Sequence, residues 1–415
     1  MFTIPENTKI TPKLAAKFML RHSVENERLD RLYSYYIGEH DILSRTRHGN
    51  TPDNRLVCNH AKYITDCTTG YFLGEPVKYT SRSGRDISGI KTALARCDSE
   101  TQDIDLARYS SIFGVSYEML YLTENGEIML ASLDPRNAFV VYDDTVAREP
   151  VFGVYYMPLS ENDGFRSGYR VYLCDRETVC EFVVTPSFSV TKVSKPYEHF
   201  FGGVPIIEYY NNWDRQGDFE QVTSLIDAYN TLQSDRVNDK EQFVDSLLII
   251  KGQILGDTAE EESETLSSIK KYGIMTMDDT GDAKWLTRQF DESSVDILRR
   301  AIENDIHKFS GVPCLTDESF SGNSSGVALK YKLLAFEQLT KIKERYFTEG
   351  LKIRLQLMAN ALNMLGSCRT DVNDIQITYT HKLPSNETEK AEIVNLLKDI
   401  VPSEKLVTLL PYELG

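Results

Sequence analysis

The sequence predicts an α+β fold drawn out into an elongated, multi-domain chain. Three observations carry this reading. The first half mixes helical apolar spacing with a run of short strand patterns, and the second half holds two long helical patterns that bracket a small insert. A further helical pattern, from Gly326 to about Leu365, spans roughly 58 Å at 1.5 Å per residue, longer than a compact domain is wide. At 415 residues the chain also exceeds the size at which a single hydrophobic core usually stops growing.

In chain order, apolar residues recur three and four apart in Pro12–Arg21, Asn26–Tyr36 and Asn59–Tyr71, with charged residues on the other face. Two further helices are predicted over Arg85–Ala95 and Gln102–Ile112. Val115–Leu122, Ile128–Leu133, Val151–Tyr156, Tyr169–Leu173, Thr178–Val184 and Ser187–Val193 read as strands, parted by turn clusters such as Glu124-Asn-Gly and Glu161-Asn-Asp-Gly. Phe201-Gly-Gly-Val-Pro-Ile-Ile-Glu-Tyr-Tyr closes this region, and Gly217-Asp218 opens a long helix through Leu225, Ile226, Tyr229 and Leu232. Between Ser234 and Gln242 only Val237 is apolar, yet no Gly or Pro interrupts the run. A helix so polar must lie in solvent or against polar neighbours.

From Leu247 to Gln289 the pattern is a small β-α-β-β unit: LLIIKGQIL, an acidic helix Thr258–Lys271, then Ile274–Met277 and Ala283–Thr287. A second long helix, Ser294–Phe309, sets Val295, Leu298, Ile302, Ile306 and Phe309 on one face and stops at Ser310-Gly-Val-Pro. Cys314–Gly326 has a loop's composition, and after the longest helix Ile375–Thr380 reads as a strand and Glu387–Leu410 as one or two short helices. The apolar surface of such a protomer cannot all be covered by its own chain, so neighbouring copies are expected to cover it.

Composition narrows the function. No stretch approaches about 18 consecutive apolar residues, and MFTIPENTKITPK lacks the basic start and apolar core of a signal peptide, so a cytoplasmic protein with no membrane partner is expected. The seven cysteines form no CxxC pair and are expected to be buried free thiols. A net charge of −16 argues against a protein that clamps nucleic acid by neutralising many phosphates. There is no GxxxxGK[ST], GxGxxG after a strand, HExxH or GxSxG, so no catalytic residues, cofactor or metal are assigned and no enzyme is expected. His307, near a helix C-terminus, reads as a dipole-stabilised surface residue.

Several segments, taken in order, resemble the portal proteins of long-tailed phages, particularly the type found in phages of Gram-positive hosts. They are Asn59-His-Ala-Lys-Tyr-Ile-Thr-Asp with Gly70-Tyr-Phe-Leu-Gly-Glu-Pro-Val; Gly203-Val-Pro-Ile-Ile-Glu-Tyr-Tyr-Asn-Asn; Gly217-Asp-Phe-Glu with Leu225-Ile-Asp-Ala-Tyr-Asn, Ser234-Asp and Asn238-Asp; and Ser325-Gly-Val-Ala-Leu-Lys. The resemblance implies a portal-type protomer: wing 1–216, first stem helix 217–246, clip 247–289, second stem helix 290–311, tunnel loop 312–326, long helix and return strand 327–383, and crown 384–415. Portal proteins of this type commonly continue into further crown helix and an acidic tail, whereas this chain stops at Gly415, so a short or truncated crown is expected.

The resemblance further implies a head-tail connector at the portal vertex of the virion capsid, assembled in the bacterial host cytoplasm as a homo-oligomeric ring of about twelve copies. Double-stranded DNA would pass through its channel without sequence-specific binding, during packaging and ejection. The implied partners are the terminase large subunit, a head-completion or adaptor protein, and the scaffolding and major capsid proteins. Tunnel-loop residues Asp317, Glu318, Phe320, Ser321 and Asn323 are candidates to approach the DNA, and Arg236 and Lys240 are candidates to face the channel from the polar stem helix. A cytoplasmic α+β enzyme and another oligomeric virion component, such as a tail adaptor, stand as alternatives; a ring with an open axis separates the first, and the long helix with its inserted small domain the second.

Overall fold

The computed structural model describes residues 1–46, 52–159, 168–243, 247–251, 258–272, 282–286, 292–315, 326–364, 366 and 371–381. They form two units. One comprises Met1–Glu39, Asn59–Ile226 and the described residues from Asp305 onward; the other comprises the described residues of His40–Cys58 and Asp227–Asn304.

The first unit opens with strand β1 (Phe2–Ile4) and helix α1 (Pro12–Ile37). The sequence pattern suggested two helices here; the structure has one. Thr11 caps the start by accepting from the Leu14 amide at 3.2 Å, and Gly38 ends the helix at φ +92°. Nothing from His22 to Asn26 interrupts it, because His22 is buried, sharing a 2.8 Å hydrogen bond with the Tyr156 hydroxyl. Burial pushes the His22 imidazole down to about 4, so it sits there neutral.

There follow α2 (His60–Leu73), β2 (Lys78–Ser81), α3 (Ser88–Arg96), α4 (Ser99–Phe113), β3 (Val115–Leu122), β4 (Ile128–Leu133), β5 (Ala138–Asp143), β6 (Pro150–Pro158), β7 (Tyr169–Cys174), β8 (Thr178–Val184), β9 (Val190–Val193), β10 (Tyr197–Glu198) and β11 (Ile206–Tyr210). Among the described residues, strand β5 is the longest element that the sequence pattern missed. All six of its residues are buried, so it shows none of the alternation by which a half-buried strand is recognised.

These strands build two packed sheets. The larger has the order β1-β5-β6-β7-β8-β10, with β9 also pairing β8; the smaller has the order β11-β3-β4. Helix α1 lays Ala15, Phe18 and Met19 against Phe139, Phe152 and Phe182 on one face of the large sheet. The other face packs Val140 and Cys174 against Val115 and Ile206 of the small sheet. The far side of the small sheet, through Leu120, Leu130 and Tyr209, meets α3, α4 and the longest helix, α8 (Gly326–Met364), at Phe347, Leu351 and Met358. The short strand β14 (Ile375–Thr378) returns to pair with β2.

The second unit contains most of α5 (Thr223–Phe243), then β12 (Leu247–Lys251), α6 (Ala259–Tyr272), β13 (Asp282–Leu286) and most of α7 (Glu292–Ser310). Strands β12 and β13 pair antiparallel, Ile249 opposite Lys284. The strand expected at Ile274–Met277 and the helices expected in Glu387–Leu410 lie outside the described residues. Of the cysteines, Cys97, Cys174 and Cys180 are buried, Cys58, Cys67 and Cys314 are only half-buried, and Cys368 lies outside the described residues.

Helix α8 is fastened to the body by a charge. Arg354, fully buried, donates from Nε to Glu118 at 2.8 Å, and its Nη2 lies 2.8 Å from the second Glu118 oxygen and 2.7 Å from Asp103. The Tyr209 hydroxyl donates to Glu118 at 2.7 Å. Four elements, α8, β3, α4 and β11, thus meet at one guanidinium. Burial pushes the Asp103 carboxyl up to about 6, with Arg354 pulling the other way. Removing one partner of such a pair strands a charge in the core, a loss of about 3–5 kcal/mol. Arg354→Met is therefore expected to lower unfolding stability by that amount in urea denaturation followed by circular dichroism, and adding Glu118→Gln with Asp103→Asn should restore most of it. An Arg354→Met midpoint equal to wild type would show that the guanidinium does not fasten α8.

Candidate functional site

The segment that leads into α5 is tied down at every residue of Gly217-Asp-Phe-Glu. A Cβ on Gly217 would come within 2.3 Å of the Ile112 carbonyl oxygen, so only glycine fits. Asp218 accepts from Ser111 Oγ at 2.6 Å and Asn211 Nδ2 at 2.8 Å, and it pairs with the Lys343 ammonium of α8. Burial pulls the Lys343 pKa down against the opposing charge of Asp218. Phe219 is fully buried. Glu220 accepts from Arg28 Nε of α1 at 2.6 Å and from the Gly217 amide at 3.0 Å. One turn earlier in the chain, Glu208 of β11 takes the Tyr142 hydroxyl at 2.7 Å and Arg215 Nε at 3.1 Å.

In the second unit, one side of the polar stretch of α5 is buried. Asn230, Ser234 and Asn238, four residues apart, are buried side by side. Each accepts a backbone amide from an extended strap: Cys58 N to Asn230 Oδ1 at 2.8 Å, Leu56 N to Ser234 Oγ at 2.9 Å, and Asn54 N to Asn238 Oδ1 at 2.7 Å. Alternate residues of an extended chain advance about 6.7 Å and four residues of a helix about 6 Å, so the two periods run nearly in step. His40 closes the upper end on Asn230 Nδ2 at 2.8 Å, and Arg45 pairs with Asp235 at 2.9 Å.

Arg236 and Lys240, the predicted channel-facing pair, lie roughly 120–160° round the helix from the centre of this ladder. Lys240 is exposed and pairs with Glu292 of α7 at 2.6 Å. Glu292 is held below its ordinary pKa by that hydrogen bond first and then by the charges of Lys240 and Arg236. The structure thus brings these two residues together on one side of α5.

The predicted loop residues Asp317, Glu318, Phe320, Ser321 and Asn323 lie outside the described residues. The approach to that segment is described, and it is anchored. The Tyr63 hydroxyl of α2 donates to the Pro313 carbonyl at 3.1 Å and accepts from the Leu315 amide at 2.8 Å. The His307 ring stands edge-on to Tyr63 at 5.5 Å, with its Nδ1 2.9 Å from the Val312 carbonyl. His307 is therefore a half-buried part of this anchor rather than a plain surface residue at a helix end, because the chain turns back over it at Gly311, φ +70°.

Clefts open on the first unit. One of about 1020 Å³ is lined by Tyr142, Tyr210, Trp213, Arg215 and Tyr346; another, about 190 Å³, by Asp218, Lys343, Phe309, Phe336 and Leu339. Their charged groups Arg215, Asp218 and Lys343 are all engaged in ion pairs. Among the described residues no group of three His, Cys, Asp or Glu side chains could hold a metal ion, and no helix is long and apolar enough to cross a membrane.

Compared with known protein families, residues 18–413 match the family described as phage portal protein, SPP1 Gp6-like. The chain belongs to this portal family. The portal protein of Clostridium phage phiCD119 is 23% identical over 406 residues, covering 91% of this chain and 88% of that protein. The portal protein of Bacillus phage SPP1 is 22% identical over 386 residues, covering 86% and 74%. Among solved structures, the chain is similar to one in the neck of a native gene transfer agent particle computed with C12 symmetry, at 14% identity and TM-score 0.49, covering 85% of this chain and 90% of that one. A chain from the neck of the empty particle computed with C6 symmetry is 15% identical at TM-score 0.48, covering 85% and 89%.

In this portal protein, the motif residues Asn230, Ser234 and Asn238 are thus a polar strap-binding ladder. Their side chains were visible in the sequence; their partners, the amides of residues 54 to 58, were not, because backbone amides leave no mark in a sequence. A buried amide left without an acceptor costs about 1–3 kcal/mol. Ser234→Ala is expected to raise hydrogen exchange at the Leu56 amide on the order of tenfold, the equivalent of about 1.4 kcal/mol, with smaller effects at Asn54 and Cys58. Unchanged exchange at Leu56 would remove Ser234 from the ladder.

Proposed function

We propose that this portal protein assembles into a ring of about twelve copies around an axial channel, at the capsid vertex of the virion, through which double-stranded DNA is packaged and ejected. The observation that carries the reading is a second apolar face on α8. Its inner side buries Leu333, Phe336, Phe347, Leu351 and Met358, while Tyr331, Leu334, Leu339, Ile342 and Ile353 stand exposed on the opposite side, Tyr331 at 74%. A helix apolar on both sides needs cover on both, and copies of the same chain supply it. Helix α7 agrees: of the stripe Val295, Leu298, Ile302, Ile306 and Phe309, only Ile306 is buried, and Phe309 is 59% exposed.

The net charge of −16 suits a conduit that must let the duplex slide. In this reading the protein has no catalytic step of its own; it is a docking platform for the terminase large subunit, head-completion or adaptor proteins, and the scaffolding and major capsid proteins. We assign 1–216 to the wing, 217–246 and 290–311 to the stem, 247–289 to the clip, 312–326 to the tunnel loop, 327–383 to the long helix and return strand, and 384–415 to the crown. Asp317, Glu318, Phe320, Ser321 and Asn323 approach the DNA from the loop whose root Tyr63 anchors, and Arg236 and Lys240 face the channel.

Negative-stain electron microscopy with mass by light scattering on the same sample tests the ring: particles of about twelve copies with a central hole are expected, and a monomer or dimer overturns the reading. For the stem, Arg236→Glu with Lys240→Glu should leave rings intact and lower the yield of packaged genomes. Unaltered packaging would take both residues off the channel wall.

A further inference from the structure

The chain is acidic overall, but its first helix is not. Lys9, just before α1, and Lys13, Lys17 and Arg21 within it follow one another at intervals of four residues, and all four are exposed. The opposite side of α1 is fixed by burial of Ala15, Ala16, Phe18 and Met19, so Lys13, Lys17 and Arg21 are held outward in a row with about 6 Å between successive members. No carboxylate occurs in α1 before Glu25. Among the described residues, no ion pair engages Lys9, Lys13 or Lys17, and Arg21 lies over the Phe2 and Phe18 rings, 5.5 and 5.3 Å from their centres. Several arginines and lysines elsewhere on this unit are paired: Arg28, two turns further on, with Glu220; Arg136 with Asp134; Arg215 with Glu208; Lys341 with Glu337.

We propose that this face of α1 is a contact surface for the phosphate backbone of duplex DNA, held by charge and without reading sequence. A row of unpaired cations without a pocket fits a polyanion whose affinity comes from counterion release. An acidic protein segment would instead need an apolar cleft for its anchoring side chains; the cleft beside the row, about 290 Å³ at Ile10, is itself lined by the carboxylates Glu6, Asp143, Glu149, Asp175 and Glu177 and by none of the four cations. Phosphate contacts of this kind position a duplex but carry no sequence information. The inference rests on the portal reading, which places the protein beside a duplex. It adds a specific surface to it: the net charge forbids a tight grip overall, and the α1 face provides a local, salt-sensitive one.

The test uses the full chain, wild type and Lys9→Gln/Lys13→Gln/Lys17→Gln, with fluorescence anisotropy on two 20-base-pair duplexes of unrelated sequence between roughly 50 and 200 mM salt. All three lysines are exposed, and circular dichroism verifies that the variant folds. Equal affinity for both duplexes is expected, with a log–log salt slope shallower in the variant by about 3 for each copy in contact. Identical binding by variant and wild type overturns the proposal. So does a wild-type chain that ignores the duplex and captures a poly-glutamate peptide, which would point to a protein partner. Electron microscopy of the same samples separates the two readings: rings whose duplex binding does not depend on the lysines sink this inference alone, and lysine-dependent binding without rings sinks the portal assembly alone.

Discussion

A single guanidinium sets much of what the rest of the body can do. Arg354 reaches the interior because Glu118 and Asp103 are waiting there, and it holds the C-terminal half of a 39-residue helix against β3, α4 and β11. Apolar packing at Phe347, Leu351 and Met358 would favour burial of that face in many rotations and translations. The directed Nε hydrogen bond to Glu118, with Nη2 in ion-pair contact with both carboxylates, admits one. With α8 placed, Lys343 meets Asp218, and Asp218 in turn gathers Ser111 and Asn211 where α5 begins. Desolvating these ions weakens the net gain from each pair; their contribution is geometric definition.

The same division of labour recurs throughout the chain. Hydrophobic contact supplies the layers, α1 on the large sheet, the small sheet behind it and α8 outermost. Polar contact supplies registration between them. The residues through which the sequence resembles portal proteins are mostly of the second kind: Asn59 caps α2 by accepting from the Lys62 amide at 2.9 Å, Glu208 and Asn211 join the tyrosine and Asp218 clusters, and Gly217 to Glu220 fix the start of α5. A family likeness spread thinly over the chain is what a framework of isolated polar tie-points produces.

Legibility in the sequence followed the same line. Strands β3, β4 and β8 ran to the residues expected, because each alternates or is bounded by clear turns. Helices α7 and α8 matched to within two residues because of Gly311 and the long apolar repeat. Strand β5 was invisible because burial on both faces erases alternation, and α1 looked like two helices because a buried histidine reads as polar. The framework residues were seen and given no structural role, since an Asn on a helix face is silent about whether it meets water, a neighbour or a backbone amide. Arg236 and Lys240 were picked as the basic residues of the polar stretch, and it took the positions of Asn230, Ser234 and Asn238 to tell which side of the helix they occupy.

The strap on α5 has a vernier's property. Its amides repeat at about 6.7 Å and the helix acceptors at about 6 Å, so three bonds are made together in one alignment, and a shift by one rung forfeits one of them. A shift by a single residue turns the donors away altogether. An oily contact of equal area would allow slow creep along the helix axis; this one has a single stop.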